Sequence, residues 1–455
     1  MKKLALAVFV LFVGLQIDAQ NNNQELSSTP KQDLMEVMDT LTRHPLATST
    51  QPTDSVQKGI SAMKGPIGWL ARYLKNTNKT SDKKFDMSLM LGPSYNATTS
   101  FSIGGLACGL YSWDRQDTTL QKSMVGIFGS VGVKGMVVVG VEGKNFLKGD
   151  HWRWNYLLAL QHTPASFWGI GYSAGDEQAT YWDVDKNKWR TATNGGKLTR
   201  LGVSFNSDML RRITPNFYMG PSVDLDYTYA LHTSDKFLLK DGFVQYPQDP
   251  DDGSIDYDHP AMVSAFRDVD GTPLDKNVFT FGFGGTFNLD TRDNPLNAYR
   301  GVYLKLQQLY YPVNTSGGSF GVTDFTFAHY IPTWKNCIMA YEAHSRLSYG
   351  DVSWNKMSLV GGSYRMRGYY LGQYRDKNIL EGQVELRQRV WKRFGLVAWV
   401  GTANVWGQES FQSDHFLINY GAGFRWEFKK RINIRIDWGK TKRDSNICFN
   451  VNEAF

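Results

Sequence analysis

Between residues 84 and 455 apolar and polar positions alternate with a period of two. In Arg431-Ile-Asn-Ile-Arg-Ile-Asp-Trp438, the residues Ile432, Ile434, Ile436 and Trp438 fall on one face, and Arg431, Asn433, Arg435 and Asp437 on the other. Successive side chains of a strand point to opposite sides of the sheet, so the pattern predicts strands with one apolar and one polar face. The same split sets Leu380, Gly382, Val384, Leu386 and Val390 against Glu381, Gln383, Glu385, Arg387 and Arg389. It sets Cys337, Met339, Tyr341, Ala343 and Leu347 against Glu342, His344, Arg346 and Ser348, and the run 416–428 behaves alike.

Strands are predicted near 84–95, 99–112, 122–132, 135–148, 151–163, 198–209, 213–230, 277–290, 301–312, 319–332, 335–348, 379–390, 395–405, 416–428, 431–439 and 446–455. The three longest connections, 164–197, 231–276 and 349–378, all follow odd strands, whereas those after even strands are mostly tight, as at Arg211-Arg212, Pro332-Thr333-Trp334 and Phe428-Lys429-Lys430. A soluble sandwich also alternates, but gives no reason for apolar faces to end in Trp and Tyr. An even strand count, long loops on one side, short turns on the other and aromatic strand ends predict an all-β fold, a 16-stranded antiparallel transmembrane β-barrel. Dividing 84–455 among sixteen strands leaves about 23 residues for each strand with its connection, enough for the ~9–11 that a tilted spanning strand needs.

Composition narrows the class further. Past residue 17 no stretch of about 18 apolar residues occurs, which excludes a polytopic helical membrane protein. The mean hydropathy of −0.39 is what a wall yields when half its positions face lipid and half a charged lumen. The net charge of +7 comes without any Lys/Arg block, so it gives no footprint for nucleic acid. Arg346, Arg387, Arg389, Arg425, Arg431 and Arg435 share inner faces with Glu342, Glu381, Glu385, Glu427 and Asp437. The three cysteines, Cys108, Cys337 and Cys448, are too few and too scattered for a disulfide framework or a metal site.

Residues 1–19 combine Lys2 and Lys3, an apolar core from Leu4 to Leu15 and the cleavage-like Ile17-Asp18-Ala19, the pattern of a secretory signal peptide. Residues 20–83 form a short polar periplasmic segment in which Ile60, Met63, Ile67, Leu70 and Leu74 approximate helical spacing. That helix, near 55–76, either rests against the barrel or plugs it.

The run Val360-Gly-Gly-Ser-Tyr-Arg-Met-Arg-Gly-Tyr369, followed by Leu380-Glu-Gly-Gln-Val-Glu-Leu-Arg387 and Gly395-Leu-Val-Ala-Trp-Val400, resembles the BamA/TamA and two-partner-secretion barrel superfamily, the bacterial surface antigen barrels. Asp290-Thr-Arg-Asp-Asn-Pro295 is similar to that family's turn between strands eight and nine, where Asp290, Arg292 and Asp293 would cap the turn and pair. The resemblance spans about 84–455. It implies that 349–378 is the sixth outer loop, folded into the lumen, with Arg367, Gly368 and Tyr369 at its tip and Gly361 and Gly362 leading into it. Arg367 would then meet a lumen carboxylate, with Glu385 preferred and Asp437 the other candidate. Met366 stands where a small aliphatic residue is usual, and Gly401 where the family pattern has Asp. The closing aromatic Phe455, with Phe449 and Val451 on its face, resembles the signal by which outer-membrane barrels reach their assembly machinery. The periplasmic repeats of protein-inserting relatives, the POTRA modules, have no counterpart in 20–83.

The resemblance implies a protein assembly, insertion or translocation factor of the Gram-negative outer membrane, without an enzyme's reaction centre or any cofactor. It would act through a lateral seam between the first and last strands. Its partners would be the lipid bilayer, unfolded outer-membrane or secreted proteins and periplasmic proteins, with no nucleic acid. A passive pore or structural envelope barrel is the alternative. Three further constellations are read as structural. Glu342, His344 and Arg346 form a lumen polar network rather than a hydrolase centre. The five carboxylates of Asp249 to Asp258 lack Ca²⁺-loop spacing and form a solvated acidic loop. Asp290, Arg292 and Asp293 are turn residues rather than a catalytic trio.

Overall fold

The computed structural model describes residues 85–455, except 97, 99, 114–122, 177, 184–187, 194–195, 234–265, 267, 269–271, 295–296, 430 and 452. The expected signal peptide, the segment 20–83 with its expected helix, and the acidic run 249–258 lie outside the described residues.

The elements in chain order are β1 (Phe85–Asn96), β2 (Ser100–Tyr111), β3 (Ser123–Gly132), β4 (Val137–Phe146), β5 (Trp152–Phe167), β6 (Gln178–Asp183) and β7 (Lys188–Thr193). There follow β8 (Gly196–Thr214), β9 (Phe217–Thr233), β10 (Asn277–Asp290), β11 (Gly301–Asn314), β12 (Phe320–Pro332), β13 (Cys337–Gly350), β14 (Ser358–Leu359) and β15 (Arg375–Asp376). The last are β16 (Asn378–Trp391), β17 (Phe394–Trp406), β18 (Leu417–Lys429), β19 (Ile432–Thr441) and β20 (Ser445–Val451). Sixteen of these strands close an antiparallel barrel in sequence order, while β6 pairs with β7 and β14 with β15 outside the wall. Each of the sixteen predicted strands overlaps one wall strand.

Alternation decides which way the wall faces. Along β16, Leu380, Val384 and Leu386 are 42%, 43% and 40% exposed, whereas Glu381, Gln383 and Glu385 between them are 7%, 5% and 0% exposed. Trp152, Trp154, Trp334 and Trp391 are exposed at the turn side, and Tyr227, Tyr229, Tyr310 and Tyr349 at the loop side, which gives the two interfacial aromatic belts. Inside the loop-side half, the rings of Phe167, Phe266 and Trp354 meet edge to face at 5.1–6.2 Å and pack with Val278, Tyr311 and Phe320.

Several boundaries shift from the sequence expectation, two of them with a clear physical reason. Arg211 and Arg212 belong to β8, and the reversal falls at Pro215-Asn216, with Asn216 at a φ of 65°. Proline supplies no N–H to continue a ladder, so the turn sits there rather than at the two arginines. The final strand ends at Val451 instead of 455. Glu453 and Ala454 are buried, and the Phe455 ring lies 6.1 Å from Tyr330 and 4.8 Å from the Arg387 guanidinium. Phe455 therefore does not share a lipid-facing strand with Phe449. The closing residues contact inner side chains of β12 and β16, because Glu453 is drawn to buried arginines.

Closure is uneven around the wall. β1 pairs with β2 at twelve positions and β19 with β20 at seven, but among the described residues β1 meets β20 only at Tyr95 opposite Phe449. Pro93 sits within β1, where it withdraws a ladder donor, as prolines do in edge strands. A closed barrel of this kind retains structure in dodecyl sulfate until heated. Unboiled protein should run at a different apparent mass from boiled protein on a gel, and identical migration would contradict the closed barrel.

Candidate functional site

The polar inner faces of β13 and β16–β20 meet the connection 351–377 in a network of buried charges. Register puts Glu385, Trp399, Gly421 and Gly439 at one level across four neighbouring strands, and Asn446 beside Gly439. Arg367 comes to this level from the loop. Its Nη2 donates to Glu385 Oε1 at 2.6 Å and to Gln383 Oε1 at 3.2 Å, and its Nη1 to Asp437 Oδ2 at 2.9 Å. Arg367, Glu385 and Asp437 are all fully buried. Arg367 thus contacts both carboxylates rather than Glu385 alone, because Asp437 and Glu385 lie within the reach of one guanidinium fork.

The two carboxylates are shared. Asp437 also accepts from Arg425 at 2.5 Å and Arg435 at 2.8 Å, and Glu385 from Arg387 at 3.0 Å. Glu453 closes the network, accepting from Arg425 at 2.8 Å and from Asn433. Four arginines therefore face three carboxylates in this network. Arg389 and Arg431, predicted on the same inner faces, sit instead at the turn-side rim. Arg389 donates to the Tyr299 hydroxyl and Arg431 to Asp293 at 2.7 Å.

The loop tip is also held by its backbone. The Arg367 carbonyl accepts from Asn419 Nδ2 at 2.8 Å, the Gly368 carbonyl from Asn446, and the Tyr369 hydroxyl donates to the Ile418 carbonyl at 3.1 Å. Gly368 adopts a φ of 116°, a conformation that side chains disfavour. A Cβ on Gly439 would stand 2.3 Å from the Arg367 carbonyl oxygen, so the wall is bare where the tip crosses it. The Arg367 guanidinium lies 3.7 Å from the Trp399 ring centroid. Trp399 in turn covers Gly421, whose added Cβ would be 2.3 Å from the indole. At Gly401, where the family pattern has Asp, a Cβ would stand 2.4 Å from Asn419 Oδ1. An aspartate there would displace the amide that holds the Arg367 carbonyl, which accounts for the departure.

Gly361 and Gly362 both take positive φ, 105° and 117°, at the loop's entry. Above the tip, Val360, Met366, Tyr369 and Tyr374 pack against Ile379, Ala403, Val405 and Leu417 of the wall. A second charge group lies beside the first. Arg365 pairs with Glu342 at 2.7 Å and Glu381 at 3.6 Å, and His344 bridges Glu381 at 2.8 Å and Asp324 at 3.3 Å.

At the turn between β10 and β11, Arg292 pairs with Asp290 at 2.8 Å, and Asp293 accepts from the Tyr299 and Arg300 amides at 2.9 and 3.3 Å. Burial raises the Asp293 carboxyl pKa, but those amides and Arg431 outweigh it and hold the group below its ordinary value. Phe449 faces Tyr95 in the seam; the side chain of Val451 lies outside the described residues. Among the described residues no group of His, Cys, Asp and Glu could hold a metal ion.

Sequence reasoning missed Trp399, Asn419 and Asn446 as contributors, and gave Gln383, Arg425 and Arg435 an inner-face position without a partner. Strand parity put most of them on the inner face, but only register assigns them a common height.

The model of the Omp85 superfamily domain matches residues 147–455 of this sequence, more than half of it. The chain belongs to the Omp85 superfamily. It is accordingly an outer-membrane barrel of the Gram-negative envelope. Among solved structures it is similar to BamA from Haemophilus ducreyi lacking POTRA domains 1–3, at 11% identity and a TM-score of 0.46, covering 92% of this chain and 81% of that one. It is similar to CdiB from Acinetobacter baumannii at 12% identity and a TM-score of 0.47, covering 82% of this chain and 60% of that one. No curated protein sequence matches it.

The charge count orders the effects of substitution in this Omp85 barrel. Removing Arg367 leaves three arginines against three carboxylates, whereas removing the Asp437 charge leaves four against two. Asp437→Asn should lose about 3–5 kcal/mol, and Arg367→Met nearer the ~1.5–3 kcal/mol of lost charged hydrogen bonds. Urea unfolding in detergent measures both, and the reverse order would contradict the shared-carboxylate account. Gly439→Ala should leave the barrel heat-modifiable while exposing 361–372 to protease; an equally protected loop would show that the tip does not rest on this glycine.

Proposed function

We propose that this Omp85 barrel inserts or translocates client proteins, and that the junction of β1 and β20 is a lateral seam where an incoming strand is templated. One observation carries the proposal: the wall that elsewhere pairs at seven or more positions is joined there at Tyr95 and Phe449 alone among the described residues. Unpaired N–H and C=O groups at a sheet edge recruit a further strand, and the unpaired length of β1, before Tyr95, lies on the turn side, where a client from the periplasm would arrive. Pro93 in β1 and the departure of Glu453 to Phe455 from the wall both favour opening at this place.

In this proposal the sixth loop is folded into the lumen and braces the wall from β16 to β19 through Arg367, so opening is confined to the seam. Clients are unfolded outer-membrane or secreted proteins, delivered with the help of periplasmic partners. No catalytic step is required, since the free energy comes from strand pairing and burial of the client in lipid. The passive-pore alternative is disfavoured by the apolar packing of Phe167, Phe266 and Trp354 inside the loop-side half.

A disulfide between Tyr95→Cys and Phe449→Cys, in a background without Cys108, Cys337 and Cys448, locks the seam. Directly opposed positions of an antiparallel pair are close enough to bridge. Oxidation should abolish barrel biogenesis or secretion of the client, and reductant should restore it. Full activity of the locked barrel would overturn the gating mechanism. A large bilayer conductance indifferent to the lock would favour the pore.

A further inference from the structure

A cavity of about 310 Å³ opens at the turn-side mouth, away from the Arg367 tip. Its charged lining is Arg387, Arg389, Arg393 and Arg425 against Glu427 and Glu453, four cations against two anions. Both glutamates are already engaged: Glu453 accepts from Arg425 and Asn433, and Glu427 from the Arg431 amide at 2.9 Å. Arg387 and Arg425 are also held by Glu385 and Asp437, Arg389 by the Tyr299 hydroxyl and Arg393 by the Glu427 carbonyl, yet two of the buried donors remain over. Arg387 Nη1 and Arg425 Nη2 are buried with no hydrogen-bond partner, although both side chains are at least nine-tenths buried. A buried charged donor left unpaired is costly, so two of them lining one cavity point to an anion that completes the set.

The shape of the cavity identifies the anion. Its lining includes Trp334 and Leu396, which are 60% and 54% exposed on the outward, lipid-facing side of the wall. Trp334 belongs to the turn-side aromatic belt, at headgroup depth. The space is thus reached from the level of the headgroups, with arginines inside and apolar surface at its rim. Guanidinium forks match phosphate oxygens in pairs. We propose that this cavity binds the phosphate of a phospholipid headgroup from the periplasmic leaflet, which pairs with the unpartnered Arg387 Nη1 and Arg425 Nη2 while Arg389 and Arg393 at the mouth add contacts and positive field. The proposal is independent of the seam, since none of these arginines lies on β1 or β20.

The test uses the full chain purified in dodecyl maltoside, titrated calorimetrically with dihexanoyl phosphatidylglycerol, dihexanoylglycerol and inorganic phosphate. Phosphatidylglycerol should bind at least about tenfold tighter than the phosphate-free lipid, the size of one charged hydrogen bond. It should also bind more tightly than inorganic phosphate. Arg387→Met disturbs the Glu385 pair and can fail to fold, so the deciding variant is Arg389→Gln with Arg393→Gln at the rim. It should keep heat-modifiable migration while losing most of that preference. Equal binding of the phosphate-free lipid, or an unchanged preference in the rim variant, would overturn the site. Inorganic phosphate binding as tightly as the lipid would overturn the headgroup assignment.

Discussion

Four guanidinium groups, Arg367, Arg387, Arg425 and Arg435, lie inside this barrel away from water, and three carboxylates, Glu385, Asp437 and Glu453, answer them. An isolated charge in such a place is expensive, and removing one partner of a buried pair exposes that expense. The network therefore fastens the loop and the closing residues to strands whose heights the backbone ladder sets. Arg367 brings in the loop between β13 and β16, Asp437 brings in β19, and Glu453 brings the closing residues inward. Asp437 alone accepts from three arginines, so β18, β19 and the loop share one anchor.

That anchoring has a consequence at the seam. A chain continuing straight from β20 would extend the pairing with β1, but Glu453 is held by Arg425 and Asn433, and Phe455 stacks near Tyr330 and Arg387. The same ion pairs that stiffen one side of the wall thus shorten its last strand. The bare surface at Gly421 and Gly439 belongs to the same arrangement, because Trp399 and the loop backbone occupy the space that side chains would take.

The architecture was largely legible in the chain. Period-two alternation located all sixteen wall strands, and the contrast of long and short connections oriented them. Polar inner faces such as Glu381, Gln383 and Glu385 were evident because lipid rarely tolerates such residues on the other side. Where local rules competed, prediction slipped: Arg211 and Arg212 are polar enough to suggest a turn, yet Pro215 and Asn216 make it. Phe455 continued the alternation on paper but followed Glu453 into the interior.

The sequence by itself determined strand, face and family, since alternation and the Arg-Gly-Tyr motif are local properties of the chain. Tertiary structure decided which inward residues meet. Height in a barrel depends on the register of every intervening strand pair, and a two-residue shift leaves the facing pattern unchanged while moving a side chain by one step along the wall. Only the closed ladder therefore places Glu385, Trp399 and Asp437 around Arg367, and only it shows Tyr95 and Phe449 as the one described pair across the first and last strands.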